Sequence, residues 1–172
     1  MIRKSLCFIV FVCGLCACQS MPSEVALEHT VADYIEVYQE RKNFERLLSF
    51  YAPSAQLEDM IYGHFATDRN AIAKFYDWPN SKLTVLEGKP LFTVEQKVVD
   101  PLQNIAFFSG VFHRFSYFGE ELGPWRFLIK LQFDKQGKII HQQDWINYTP
   151  RSLITEGKNL NTPFLVDDKK GK

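Results

Sequence analysis

The chain has 172 residues, and its 20 Lys and Arg are balanced by 20 Asp and Glu. That balance excludes the basic footprint expected of a nucleic-acid-binding protein, and the length suits a single domain able to bury about two thirds of its unfolded surface. The 15 Phe point to a large core or a lined cavity, and no internal repeat or low-complexity block divides the chain.

At the N-terminus, Arg3 and Lys4 precede a mostly apolar run over residues 6–17, the pattern of a secretory signal. The run is too short for a bilayer span, which needs about 20 apolar residues, and polar Gln19 and Ser20 end it. It closes in Leu15-Cys16-Ala17-Cys18, which resembles the bacterial lipobox. The resemblance implies a signal peptide over residues 1–17, cleavage before Cys18, and lipid attachment at Cys18. Two or more acyl chains on one cysteine anchor a protein stably, where one chain holds it only marginally. All four cysteines, Cys7, Cys13, Cys16 and Cys18, lie in this segment, so cleavage leaves no thiol for a disulfide or a thiolate metal site in the folded body. Loss of Arg3 and Lys4 leaves 18 basic against 20 acidic residues, a net charge of about −2. By resemblance to enterobacterial sorting, Gln19 in place of aspartate implies outer-membrane attachment facing the periplasm. The tether over residues 18–24 holds about five residues between lipid and first helix. Extended, these reach under about 20 Å, which keeps the domain close to the membrane.

Beyond the tether, Leu27, Val31, Tyr34, Ile35 and Tyr38 recur at helical spacing with Glu28, Asp33, Glu36 and Glu40 between them. Pro22-Ser23 is the expected start of this helix. After a break at residues 41–43, Phe44, Leu47, Leu48 and Tyr51 predict a second helix ended by Pro53. Residues 55–61 read as a short strand and 63–66 as a turn. Thr67 is the expected cap of a third helix containing Ile72, Phe75 and Tyr76, closed by Pro79-Asn80. The remainder alternates with period two. Strands are predicted over 83–86, 91–99, 104–118, 125–133 and 138–148, with turns at 119–124 and 134–137. In the fourth of these, Trp125, Phe127, Ile129, Leu131 and Phe133 share one face, and Arg126, Lys130 and Gln132 the other. The 104–118 strand is apolar on both faces, which marks it as central or as a dimer contact. Helices followed by an antiparallel meander define an α+β plan. From residue 149 to 172 the pattern fades into a solvated, partly disordered extension.

FYAPSAQLEDMIYG, TDRNAIAKFY and GKIIHQQDWINY resemble the corresponding parts of the nuclear transport factor 2-like superfamily, also called SnoaL-like. The likeness covers residues 25–148. It implies a cystatin-like cone in which three N-terminal helices pack on a strongly bent antiparallel sheet around a pocket. Steroid isomerases of that superfamily carry an acidic pair after the second helix, and Glu58-Asp59 stands there, which implies Asp59 as a proton acceptor. Alternation lets only one of the two point inward. The two enolate-stabilising donors of those isomerases fall on Ile35 and Ile129, so steroid-type isomerisation is not expected. Tyr34 and Tyr38 lie near enough to the first position to supply a hydroxyl. Asp144 matches an acidic residue of polyketide cyclases, although Gln142-Gln143 replaces their usual His-Trp.

The residues expected at the site are therefore Asp59, Tyr34, Tyr38 and Asp144 as catalytic groups, with Glu58, Trp125, Phe127, His113 and Trp145 lining the pocket. His64, His113 and His141 show no ligand spacing, so no metal is expected. His29 and Asp33 are spaced for a surface hydrogen bond. No Gly-rich phosphate loop or Gly-x-Ser-x-Gly elbow is present, so no cofactor is expected. Expected partners are the lipid anchor, a small apolar ligand or a protein, and a second copy through the sheet. The functional expectation is an envelope lipoprotein that binds such a ligand, with an acid–base enzyme based on Asp59 as the alternative.

Overall fold

The structure is a computed structural model and describes residues 24–148. The signal peptide, Cys18, the tether up to residue 23, the helix start at Pro22-Ser23 and the 149–172 extension lie outside the described residues. The first half of the domain contains helices α1 (Glu24–Glu40), α2 (Phe44–Ser49) and α3 (Arg69–Tyr76), and strands β1 (Tyr51–Asp59) and β2 (His64–Ala66). The second half contains β3 (Leu83–Val85), β4 (Phe92–Asp100), β5 (Ile105–Phe112), β6 (Phe115–Tyr117), β7 (Glu120–Leu122), β8 (Trp125–Phe133) and β9 (Ile139–Ile146).

Helical spacing in α1 produces the expected stripe: Leu27, Val31, Tyr34 and Tyr38 are buried, and Ile35 is partly so. The helix stops at Arg41, whose backbone is left-handed (φ 51°) and whose N–H bonds the Val37 carbonyl at 3.1 Å. Asn43 caps α2 by accepting from the Arg46 N–H. Two local expectations fail here for backbone reasons. Tyr51 opens β1 instead of ending α2, and Pro53 lies within that strand. A proline is tolerated there because the β1–β9 register breaks between Tyr51 and Gln56, where no ladder donor is required. Likewise Asp68, not Thr67, caps α3, because the extended Asp68 aims its carboxylate at the Ala71 N–H, 2.8 Å away.

Six strands form the main sheet in the order β2-β1-β9-β8-β5-β4, and β3-β6-β7 form a small second one. The main sheet is mixed, where an antiparallel one was expected, because β1 and β9 run parallel. α3 and strands β2 to β8 lie between them in sequence, which gives the long connection that parallel pairing needs. Residues 64–66, read as a turn, pair with β1 as β2. The 104–118 run divides at His113 and Arg114: β5 stays between β4 and β8, while β6 turns aside to pair with β3 and with β7, which occupies part of the predicted 119–124 turn. β5 is thus an interior strand, with Ala106, Phe108 and Phe112 facing the core.

The sheet bends at irregular positions. β4 carries an extra residue at Glu95, between the pairs Val94↔Gly110 and Gln96↔Ser109. A side chain on Gly110 would stand 1.9 Å from the Thr93 carbonyl oxygen, so only glycine lets the two strands approach. β9 carries an extra residue at Ile140, which shifts the inward series from Ile139 to Gln142, Asp144 and Ile146. β8 alternates as its sequence requires, burying Trp125, Phe127, Ile129, Leu131 and Phe133. Helices α1 and α2 pack over this concave face, and α3 covers β1 and β2.

Candidate functional site

Helices, main sheet and small sheet together leave a cavity of about 230 Å³. Its walls are aromatic and aliphatic: Tyr38 from α1, Phe75 and Tyr76 from α3, Leu83 from β3, Phe115 and Tyr117 from β6, Leu122 from β7, and Trp125 from β8. Polar groups are few. Asp144 and Tyr148 stand in the β9 side of the wall, and Arg41 and Ser81 stand opposite small-sheet residues.

Asp144 is 1% exposed, and among the described residues the one donor to its carboxyl is Gln142, whose Nε2 lies 2.8 Å from Oδ1 and 3.0 Å from Oδ2. Burial pushes this carboxyl up to about 8, with the charge of nearby Asp59 adding to the effect and the Gln142 hydrogen bond opposing it. Its neighbour across the β8–β9 ladder is Ile129, an apolar residue that offers no compensation. Asp144 therefore holds a proton at neutral pH.

The Gln142 amide is oriented from below. The Tyr34 and Tyr51 hydroxyls donate to Oε1 at 3.0 and 2.6 Å, and Nε2 donates to the Tyr76 hydroxyl at 2.9 Å. Two phenol donors on the oxygen leave the amide nitrogen facing Asp144. Burial raises the phenols of Tyr34, Tyr51 and Tyr76 well above their usual value, so they stay neutral donors. Tyr38 is raised by the same cause.

Asp59 is the parallel-register partner of Asp144 and is also buried, at 2% exposed. Its surroundings are different. Oδ1 accepts the Ile61 and Tyr62 N–H groups, both at 2.9 Å, and Oδ2 accepts the Tyr148 hydroxyl at 2.6 Å. The turn from β1 to β2 folds its backbone donors onto this one oxygen, and Tyr148 screens the other from the cavity wall it lines. Burial, with the adjacent Asp59, raises the Tyr148 phenol far above its ordinary range.

The cavity wall thus includes Tyr38, Asp144 and Trp125 among the sequence-predicted residues. Tyr34 lies beneath it, packed edge-on against Tyr38 and hydrogen-bonded to Gln142 and Tyr51. Phe127 is core, ringed by Phe92, Phe108 and Phe112. Strand alternation carries Glu58 and Trp145 to the outer face of the sheet, opposite their neighbours Asp59 and Asp144. There Glu58 pairs with His141 at 2.6 Å, and Trp145 borders a shallow hollow with Ile61 and Leu128. His113 sits where the chain leaves β5 and bonds Thr93 Oγ1 at 2.7 Å. His64 stacks on Phe75, and Asp33 pairs with Arg46 instead of His29. Among the described residues no group of His, Cys, Asp and Glu is placed to hold a metal ion. Gln142, Tyr51, Tyr76, Tyr148 and Arg41 were not singled out from sequence. A signal existed for Gln142 alone: it lies two residues before Asp144 on one strand and so shares its face.

No family model matches the chain, and no curated protein matches its sequence. Solved structures do resemble it. SalBIII, an epoxide hydrolase/cyclase-like enzyme with a role in pyran ring formation in the polyether salinomycin, aligns over 74% of this chain and 95% of its own at 10% identity, with a TM-score of 0.58. A protein described as a SnoaL-like polyketide cyclase, from Shewanella putrefaciens, aligns over 70% and 88% at 13% identity, TM-score 0.58. An NTF2-like protein of unknown function from Burkholderia pseudomallei aligns over 70% and 90% at 13% identity, TM-score 0.54. The chain therefore has the SnoaL-like, NTF2-like fold: an α+β domain with helices packed on a bent mixed sheet. At such low identity the likeness defines the architecture, and the chemistry has to be argued from the cavity.

Proposed function

We propose that this protein is a lipid-anchored envelope protein whose domain binds a small, largely apolar molecule, with Asp144 donating a hydrogen bond to one of its oxygens. One observation carries the reading. A buried carboxyl, protonated at neutral pH and served by a single amide nitrogen, stands in the wall of an otherwise apolar cavity. Its O–H has no acceptor among the described residues, and a guest carrying a carbonyl, ether or hydroxyl oxygen would satisfy it. The volume lies below the roughly 300–1,000 Å³ of drug-sized sites, so the guest is small.

Native mass spectrometry and solvent extraction of the purified full chain test this directly. A co-purifying small molecule should be present in the wild type and absent from Leu83→Trp, which fills one wall. A cavity found empty in every preparation, together with no melting shift across a panel of small oxygenated hydrocarbons, would overturn the reading. The anchor is supported by the basic start, the apolar run and the lipobox-like motif, and among the described residues no helix is long and apolar enough to cross a membrane. Metabolic labelling with an alkyne fatty acid should mark the wild type and leave Cys18→Ser unmarked.

A second reading, an acid–base enzyme of the isomerase, cyclase or dehydratase kind, is favoured by the pairing of Asp144 with Asp59 on adjacent strands. In that reading Asp144 is the proton donor. Asp59, its oxygens already taken by three donors, positions Tyr148 and adds to the burial that raises the Asp144 carboxyl. Turnover that survives Asp144→Asn would rule it out.

A further inference from the structure

Resting on the reading of the cavity as a small-molecule site, we infer that its guest is an apolar monocarboxylate whose carboxylate is held at the wall by Arg41. Arg41 follows α1 in a left-handed backbone conformation (φ 51°) that a non-glycine residue seldom adopts. Its side chain is held by two contacts. The guanidinium carbon lies 4.6 Å over the Trp78 ring, and Nη2 donates to Ser81 Oγ at 2.8 Å. Ser81 Oγ in turn donates to the Trp78 carbonyl at 3.2 Å. The guanidinium is therefore clamped between an aromatic face and a buried hydroxyl, and it lines the cavity.

What it lacks is a counter-charge. Arg46 pairs with Asp33 and Arg114 with Glu121, whereas Arg41 has no carboxylate partner among the described residues; Arg69 and Arg126 also have none, but both are exposed to water, while Arg41 is partly buried. Burial lowers its pKa, and the groups that oppose this are the phenols of Tyr38, Tyr76 and Tyr117, not an acid. A partly buried guanidinium has five donors, and Ser81 and the Trp78 face occupy one edge and one side of it. The remaining donors form a planar fork suited to two carboxylate oxygens. Asp144 does not fill that role, since it is protonated and bonded to Gln142. An anionic end at Arg41 and an apolar body against Phe115, Leu122 and Trp125 would satisfy both the charge and the walls.

Calorimetric titration of the full chain with straight-chain monocarboxylates from butanoate to octanoate, each beside its matching alcohol, separates this inference from the reading beneath it. Expected is tighter binding of the acid than of the alcohol, with Arg41→Gln weakening the acid about tenfold to a hundredfold and the alcohol little. Arg41→Lys, which keeps the charge and loses the fork, should recover part of the acid affinity. Ser81→Ala releases one edge of the guanidinium clamp and should weaken the acid several-fold more than the alcohol, whereas a purely structural role for the Arg41–Ser81 bond would weaken both alike. Equal binding of acid and alcohol, or indifference to Arg41→Gln in a variant that melts like the wild type, would overturn the carboxylate inference and leave the cavity reading standing. Failure of both series to bind would overturn the two together.

Discussion

Asp59 and Asp144 occupy matched positions on neighbouring parallel strands, equally withdrawn from water, yet the two regions around them are built on opposite principles. Around Asp59 the β1–β2 turn and Tyr148 gather three donors onto one carboxylate. Around Asp144 a single amide nitrogen is shared between two oxygens, and the next strand offers Ile129. Burial alone does not decide what a carboxyl can do; the supply of donors does. The starved carboxyl is the one that keeps a proton and faces the cavity.

The sharpest way to break this contrast is pH. Asp144 has a folded-state pKa raised to about 8 from 3.8, so the folded chain holds a proton that the unfolded chain releases between those values. Stability should fall as pH rises through that window, by up to about 1.4 kcal/mol per unit, and level off above about 8. Asp144→Asn should lose this slope, gaining on the wild type by several kcal/mol, on the order of 5, between acid and mildly alkaline denaturant titrations. A parallel slope in both proteins would mean that Asp144 is not the protonated group.

Next in size is Gln142→Leu, which removes the only donor to Asp144 among the described residues and leaves the Tyr34 and Tyr51 hydroxyls without their amide acceptor. Equilibrium unfolding should show a loss of about 3–5 kcal/mol, the range for breaking a buried polar network from one side. Asp59→Asn should cost less, about 1–3 kcal/mol, because the amide turns its nitrogen toward either the turn N–H groups or the Tyr148 hydroxyl. It should also lower the pKa of Asp144 by removing a neighbouring charge, which carbon-detected NMR titration of that carboxyl would read. Smallest is Tyr148→Phe, at about 0.5–1.5 kcal/mol, since Asp59 keeps both backbone donors.

Much of the fold could be read ahead of the structure because it follows from local periodicity. The α1 stripe, the alternation of β8 and the acid pair before α3 all carry their own pattern. What stayed hidden depends on partners distant in sequence. Nothing in residues 51–59 announces that Tyr51 and Pro53 belong to a strand, since the register break that accommodates them is set by β9. The extra residue at Ile140 likewise changes which side of β9 faces inward, and Glu95 does the same work in β4. Asp144 stood out through resemblance, but its protonation follows from burial, reinforced by Asp59 and opposed by Gln142, all of which act only after folding. Arg41 looked like part of a helix break because its significance lies in Trp78 and Ser81, which come against it only in the folded chain.

The parallel seam between β1 and β9 has a further consequence for how the molecule comes into being. A chain emerging N-terminus first presents β1 with one edge unpaired until nearly the whole domain has followed, and closing so large a loop is entropically slow. The acid, its amide clamp and the neighbouring carboxylate are therefore assembled last, by the arrival of a single strand. A nascent or truncated chain ending before Gln142 would lack the acid, its amide clamp and most of the strand that joins β1 to β8.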